Sequence, residues 1–121
     1  MMVMLVDDSP TLLASMESVL RRAGHDVVKS LSAEEALSKL KAGTKPRLVI
    51  TDLNMGGMNG IDFIRQAKKV SGMAFTPMLM LTTESQQARR AEAKAAGAAG
   101  WLVKPVAADA LIGVVKQLVP A

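Results

Sequence analysis

The sequence predicts an α/β fold in which a five-stranded parallel β-sheet is flanked by five helices on both faces. Five short apolar runs alternate along the chain with stretches whose apolar residues recur at helical spacing. The runs are rich in Val, Ile, Leu and Met throughout, which is typical of parallel strands that are covered on both faces. Because each run is followed by a helical stretch, right-handed crossovers would keep all the strands parallel.

The predicted strands are brief and lie at regular intervals along the chain. They are Val3–Val6, Val27–Leu31, Leu48–Thr51, Met78–Leu81 and Trp101–Val103. In a sheet of this kind, ligands bind beyond the carboxyl ends of the strands, where the strand order reverses.

Apolar residues at helical spacing mark the segments that connect these strands. In chain order they are Leu12, Leu13, Met16, Val19 and Leu20, then Ala36, Leu37 and Leu40, then Ile61, Ile64 and Ala67, and finally Leu111, Ile112, Val115, Leu118 and Val119. Ser32 to Glu35 reads as a capping box that opens the second helix, and Gly24 and Gly43 follow the first two helices as stop signals. The fourth helix, about Ser85–Ala96, has mainly alanine on its inner face and should bury little area.

Composition narrows the classes of protein that fit. A chain of 121 residues is long enough for one domain, and we expect residues 1–121 to be that single domain without an output domain. The absence of cysteine excludes thiol chemistry. No signal peptide and no apolar run of about 20 residues is visible, so we expect a cytoplasmic protein without a membrane partner.

The net charge of +4 does not by itself indicate a nucleic-acid partner. The basic residues are spread over the chain, aromatic side chains for base stacking are almost absent, and no zinc-finger or RNA-binding signature is present. We therefore expect no nucleic acid among the partners, and we expect a monomer.

Polar side chains follow four of the five predicted strands. Asp7 and Asp8 follow the first strand, Asp52 the third, Thr82 the fourth and Lys104 the fifth. Each has a plain structural explanation when taken alone, such as a helix cap, a turn or a solvated charge. Those explanations give no reason for the charges to share one end of a parallel sheet, and their coincidence predicts a functional site there.

This set of side chains suits a metal-assisted phosphoryl acceptor. Mg²⁺ prefers carboxylate, carbonyl and water oxygens. Asp8 and Asp52 could bind it directly, with a backbone carbonyl from the loop after Asp52, while Asp7 could orient a bound water. The hydroxyl of Thr82 and the ammonium of Lys104 would then stabilise the charge of an incoming phosphoryl group.

The constellation resembles the receiver domain of bacterial response regulators of two-component systems. It is most similar to the single-domain chemotaxis regulators of the CheY type, which share the segment "DLNMxxMxG" at Asp52–Gly60 and "GxxxKP" at Gly100–Pro105. Asn54 and Glu84 occupy the variable positions of the active site with residues that such regulators carry. The resemblance implies the flavodoxin-like strand order 2-1-3-4-5.

The resemblance also implies the roles of the site residues. Asp52 would accept a phosphoryl group from a sensor histidine kinase, and Asp7, Asp8, Asp52 and the carbonyl of Asn54 would hold Mg²⁺. The protein would then be a phospho-acceptor and not a conventional enzyme, with only self-phosphorylation and self-dephosphorylation as its chemistry.

The same resemblance implies a switch. Thr82 would move towards the phosphoryl group, and the ring of Trp101 would move with it. Lys104 would pair with the phosphoryl group, and the peptide bond between Lys104 and Pro105 would be cis. The fourth helix, fifth strand and fifth helix would form the partner surface, for a flagellar motor switch protein or a phosphatase as well as the kinase.

Two departures from the family pattern stand out. Trp101 replaces a tyrosine or smaller aromatic residue, and its alternative role is to cap the edge of the sheet. Gly56 and Gly57 replace a proline that is common in the loop after the acceptor, which would loosen that backbone.

Other functions remain open from the sequence. The chain could be a phosphate sink or a phosphorelay intermediate outside motility, or a structural adaptor with a silent acidic site. A Mg²⁺-dependent aspartate phosphatase of the haloacid dehalogenase type would need a second acid two residues after its nucleophile, where this chain has Asn54. A flavin-binding module would need a less acidic loop after the first strand, because acidic side chains repel the phosphate of the flavin.

Overall fold

The computed structural model describes residues 1–83 and 88–119, in which strands and helices alternate. In chain order these elements are β1 (Met2–Val6), α1 (Pro10–Arg22), β2 (Asp26–Ser30), α2 (Ala33–Lys41), β3 (Leu48–Asp52), α3 (Gly60–Ala67), β4 (Met78–Thr82), α4 (Arg90–Ala96), β5 (Gly100–Val103) and α5 (Ala108–Leu118). All strand pairs are parallel, in the order β2-β1-β3-β4-β5. The predicted fold and strand order are confirmed.

The sheet separates two apolar cores, because alternate strand residues point to opposite faces. Met4 and Val6 of β1 lie in a core that also contains Phe63, beneath α2, α3 and α4. Val3 and Leu5 lie in the second core, beneath α1 and α5. This double burial explains why the inner strands β1, β3 and β4 read as nearly continuous apolar runs.

Side-chain caps set the starts of the first three helices. The hydroxyl of Ser9 accepts from the amide of Leu12 before Pro10 begins α1, and the hydroxyl of Ser32 accepts from the amide of Glu35 at 3.1 Å. The carboxylate of Glu35 accepts from the amide of Leu31, at 3.0 Å. Ser32 therefore caps α2 as predicted, while Glu35 reaches back one residue beyond the cap to Leu31.

Some boundaries differ from those predicted. Leu31 lies beyond β2 and is 49% exposed, because the chain turns outward there into the cap of α2. The described α4 begins at Arg90, and the predicted start at Ser85 lies outside the described residues. Ala93 is the one fully buried residue of α4 as described, in line with the small burial predicted for this helix. Within the described residues, no helix combines the length and apolarity needed to cross a bilayer.

Candidate functional site

The polar residues predicted to form a site lie together at the carboxyl edge of the sheet. Asp7 and Asp8 follow β1, Asp52 ends β3, Thr82 ends β4 and Lys104 follows β5. One carboxylate oxygen from each of the three aspartates lies within 4.8 Å of the other two. Parallel pairing brings these residues together although 97 positions separate Asp7 from Lys104.

Asp7 is held by contacts at both of its carboxylate oxygens. Its residue is 1% exposed, and its Oδ1 accepts a hydrogen bond from the amide of Ser9 at 2.9 Å. Its Oδ2 lies 3.2 Å from the Nζ of Lys104. Asp8, by contrast, is exposed. The two adjacent acids therefore occupy different environments, with Asp7 oriented by the protein and Asp8 accessible to solvent.

Asp52 lies at the centre of the cluster. It is 6% exposed, and its Oδ1 accepts from the amide of Leu53 at 2.9 Å and lies 3.0 Å from the Nζ of Lys104. Burial raises the pKa of Asp52, and the negative charge of Asp7 adds to this rise against the opposing effect of Lys104. An ionised Asp52 is thus held in a place that penalises its charge unless a further cation arrives.

Lys104 joins the acidic cluster to the end of β5. Its amide donates to the carbonyl of Thr82 at 2.7 Å, and the bond between Lys104 and Pro105 is cis, as the resemblance implies. Burial alone would lower the pKa of Lys104, but the hydrogen bonds and charges of Asp52 and Asp7 outweigh it and raise that pKa. Lys104 therefore remains a cation at neutral pH.

Thr82 supplies a buried hydroxyl at the same edge. The residue is 1% exposed, and its Oγ1 has no hydrogen-bond partner among the described residues. A buried hydroxyl without a partner is costly, because its interactions with water are lost and not replaced. An oxygen-rich group entering the site would satisfy it.

The donor set fits a hard divalent cation. Carboxylate oxygens are the ligands that Mg²⁺ prefers, and three carboxylates against one ammonium leave a formal excess of two negative charges. Asn54 is exposed two residues beyond Asp52, and its carbonyl stays a predicted ligand.

Glu34 contacts the loop that follows Asp52, although the sequence indicates only that it lies at the start of α2. Its Oε2 accepts a hydrogen bond from the amide of Met58 at 3.2 Å, across 24 positions of sequence. Gly57, with φ at 91°, leaves room for this carboxylate, since a Cβ there would lie 2.8 Å from the Glu34 Oε2. The loop that follows Asp52 is therefore fastened to α2. An acid in the first turn of a helix gives no signal of such a distant partner.

Trp101 lies on the neighbouring part of the sheet and is half-buried. Its ring packs against the core that contains Phe63, and the guanidinium carbon of Arg90 lies 4.7 Å from the ring centroid. The Nε of Arg90 is buried without a hydrogen-bond partner among the described residues. Trp101 thus links β5 to the first residue of α4, a contact that periodicity did not predict.

Comparison with known proteins gives a consistent result. Residues 3–116 match the family model of the response regulator receiver domain. The chain is 36% identical over 106 residues to chemotaxis protein CheY1 of Helicobacter pylori, covering 87% of this chain and 86% of that protein. It is 30% identical over 119 residues to protein PilG of Pseudomonas aeruginosa, covering 98% and 87% respectively. The structure is similar to that of chemotaxis protein CheY4 of Vibrio cholerae, with a TM-score of 0.92, 36% identity and 98% of each chain covered.

Proposed function

Because this chain belongs to the response regulator receiver domain family, we propose that it is a phosphorylation-dependent switch in which Asp52 accepts a phosphoryl group from a sensor histidine kinase. One observation carries the proposal. The ammonium of Lys104 contacts both Asp7 and Asp52, at the edge where the buried hydroxyl of Thr82 has no hydrogen-bond partner in the described part of the chain. A nucleophile, a cation and a free donor are thus gathered where a phosphoryl group would need them.

The proposed transfer needs little from the protein beyond positioning. The Oδ1 of Asp52 is engaged by the amide of Leu53 and by Lys104, which leaves Oδ2 as the attacking atom. A P–O bond to Asp52 forms as the P–N bond of the kinase phosphohistidine breaks, and the imidazole nitrogen takes up a proton. Lys104 and the Thr82 hydroxyl then bind the phosphoryl oxygens.

We infer that Asp7, Asp8, Asp52 and the carbonyl of Asn54 hold Mg²⁺ in the working protein. When bound, the ion would neutralise the excess negative charge and polarise the phosphoryl oxygens. The fixed position of Asp7, with one oxygen on the Ser9 amide and the other on Lys104, suits it to orient a metal-bound water, whereas the exposed Asp8 suits direct ligation.

Incubation with acetyl phosphate and Mg²⁺ tests the central step. Intact-protein mass spectrometry should show one added phosphoryl group. No such group should appear when EDTA is added before the reaction, or when Asp52→Asn is used. Asp62→Asn is the matched control, because Asp62 lies in the first turn of α3 and is paired with Arg65. No mass increment, or one that persists in Asp52→Asn, would contradict the proposal. Turnover of a phosphomonoester by the unmodified protein would instead favour the phosphatase alternative.

We propose that the signal leaves through α4, β5 and α5. Trp101 of β5 is the one tryptophan in the chain, so its fluorescence reports this surface alone. Phosphorylation should change that emission in the wild type and leave it unchanged in Asp52→Asn. An unchanged spectrum of a protein shown by mass to be phosphorylated would separate Trp101 from the switch.

We propose chemotaxis as the process served in the cytoplasm, with control of the flagellar motor switch as the output. The names of the Helicobacter pylori and Vibrio cholerae relatives support this, since both are chemotaxis proteins. Titration of a purified flagellar switch protein with phosphorylated chain should show tighter binding than with the unphosphorylated chain. Equal or absent binding would favour a phosphate sink or a relay intermediate.

A further inference from the structure

The edge of the sheet opposite the acidic cluster is strongly basic. Every right-handed β-α unit places the end of its helix at the amino edge of the sheet. The last turns of the five described helices carry Arg21 and Arg22, Lys39 and Lys41, Arg65, Lys94, and Lys116. The first turns of α2 to α5 carry acids instead, an arrangement that complements the helix dipoles. The fold therefore separates charge along the strand direction.

Unpaired cations concentrate around the loop between α3 and β4. Lys41, Arg47 and Lys69 are exposed and have no ion pair among the described residues, while the Nζ of Lys45 contacts a backbone carbonyl of that loop. Lys41 and Lys69 line one surface depression together. The cations elsewhere that do form ion pairs, such as Lys29 with Glu17, lie on the helix and strand surfaces. Among the described residues, no acidic group forms an ion pair with the three exposed cations at this place.

The same loop presents an aromatic side chain to solvent. Phe75 is 98% exposed, although Met73, two residues before it, is 1% exposed and anchors the loop in the core. The Nζ of Lys45 donates to the carbonyl of Ser71 at 2.7 Å, and that of Lys68 donates to the carbonyl of Thr76 at 2.6 Å. The backbone of the loop is therefore held on both sides of Phe75.

A groove of about 440 Å³ lies beside Phe75. Pro46, Pro77 and Leu118 give it apolar walls, and Arg47 contributes a charged head. We call this surface the basic groove, formed by Pro46, Arg47, Phe75, Pro77 and Leu118 and flanked by Lys45. Its lining contains no acidic residue among the described positions.

We propose that the basic groove docks an extended, acidic segment of a partner protein that carries an apolar side chain. Arg47 in the lining and Lys45 at its flank supply charge complementarity for the acids, and the apolar walls beside Phe75 supply a pocket for the apolar residue. A phosphate backbone or a lipid headgroup would use the cations but would gain nothing from a concave wall of prolines and leucine. The groove lies at the opposite edge from Asp52, so this docking is independent of phosphorylation.

Selection from a library of random short peptides displayed on phage tests the proposal on the immobilised full chain. Selected peptides should combine Asp or Glu with a neighbouring apolar residue. As purified synthetic peptides they should bind about tenfold or more weakly to Arg47→Glu and to Phe75→Ala. Arg22→Glu, which changes net charge equally outside the groove lining, should bind as the wild type does. Asp52→Asn should also bind normally, which separates this proposal from the phosphorylation switch.

Specific results would overturn the assignment. Peptides without acids, or equal binding to Arg47→Glu by the selected peptides, would remove the groove as their site. If no peptides are selected, but phosphatidylglycerol vesicles or single-stranded RNA bind in a way that depends on Arg47 and Phe75, the occupant of the basic groove is that polyanion and not a protein segment. Self-association in sedimentation that Arg47→Glu abolishes would replace it by a second copy of this chain. The thermal unfolding midpoint of Phe75→Ala should match the wild type, so that lost binding cannot come from misfolding.

Discussion

Replacement of Lys104 by methionine should destabilise the metal-free protein by about 2–3 kcal/mol. The side chains of Asp7 and Asp52 are 2% and 8% exposed, whereas that of Lys104 is 23% exposed. An exposed ion pair contributes about 0–1 kcal/mol, and removal of one partner from a buried pair costs about 3–5 kcal/mol. Partial exposure of the ammonium places Lys104→Met between these limits, because two buried carboxylates are left facing each other without their cation.

Magnesium should remove most of that difference. In excess of a ligand that binds only the folded state, two proteins differ in the stabilisation they gain by about 1.4 kcal/mol for each tenfold difference in Kd, so closing a gap of about 2–3 kcal/mol requires Lys104→Met to bind Mg²⁺ about 30- to 150-fold more tightly. Loss of the competing ammonium leaves the carboxylates more available to the ion. The expected result is therefore a large gap between wild type and Lys104→Met in EDTA and a small one in excess Mg²⁺.

Urea unfolding followed by circular dichroism measures both free energies, with the slope against urea checked for constancy. Lys29→Met is the matched control, since Lys29 pairs with Glu17 at 2.9 Å on an exposed surface. It should lose less than about 1 kcal/mol and show no dependence on Mg²⁺. A Lys104→Met protein that matches the wild type in EDTA, or whose deficit is the same with Mg²⁺, would refute the reasoning.

Three further predictions concern the core, pH and the loop after the acceptor. Phe63→Ala should lower the free energy of unfolding in urea by about 3–5 kcal/mol because Phe63 is 0% exposed, whereas Phe75→Ala should change it by less than about 0.5 kcal/mol. Similar losses in the two variants would contradict the difference in burial between the two rings. Burial lowers the pKa of His25, so its contribution to stability is present above the ordinary value of 6.5 and is lost as pH falls through the lowered pKa. His25→Gln should flatten the decline of unfolding free energy between about pH 7 and pH 5, and an unchanged slope would rule out His25 as its source. Gly57→Ala should weaken Mg²⁺ binding in calorimetric titration, because φ is 91° and a Cβ would lie 2.8 Å from the Glu34 carboxylate. Gly56→Ala should leave Mg²⁺ binding unchanged, since a Cβ there would have no neighbour within 4 Å, and equal effects of the two variants would show that the loop geometry is irrelevant.

The strands were predictable because burial on both faces leaves a strong and local signal. Runs such as Leu48–Thr51 are apolar at every position except the last, and no other element of this fold requires that pattern. The end of β2 was predicted less well. Leu31 is apolar but follows Lys29 and Ser30, and the cap of α2 begins immediately afterwards and turns Leu31 outward. A local cap therefore overrode hydrophobic patterning at that boundary.

The gathering of the site residues was predictable for a different reason. Parallel topology alone brings Asp7, Asp52 and Lys104 to one edge, and the observed contacts of 3.0 and 3.2 Å to the ammonium follow from that placement. Contacts that depend on the packing of one element against another were not predictable. The hydrogen bond from the Met58 amide to Glu34 and the position of Arg90 over Trp101 belong to this class.

The clustering of basic residues at one edge of the sheet was not predictable from the linear sequence either. In the linear sequence the lysines and arginines look evenly spread, which supports an interpretation as solvated helix surface. Folding collects many of them at the amino edge, because each helix ends there with a basic last turn. Helix-dipole complementarity accounts for the side of the molecule on which they lie. It does not account for Arg47, which has no ion pair with any described residue and belongs to a connecting loop and not to a helix end.

Gly60, the last residue of the "DLNMGGMNG" segment, couples the start of α3 to the acceptor strand β3. Gly60 begins α3, and its amide donates to the carbonyl of Leu53 at 2.8 Å. A Cβ at Gly60 would overlap the backbone oxygen of Asp52, so a side chain there would displace the end of β3 that carries the acceptor. The requirement is close approach of two backbones and not an unusual φ, since Gly60 is absent from the positive-φ positions. The position of the Asp52 carboxylate next to Lys104 therefore depends on a residue eight positions away that contributes no functional group.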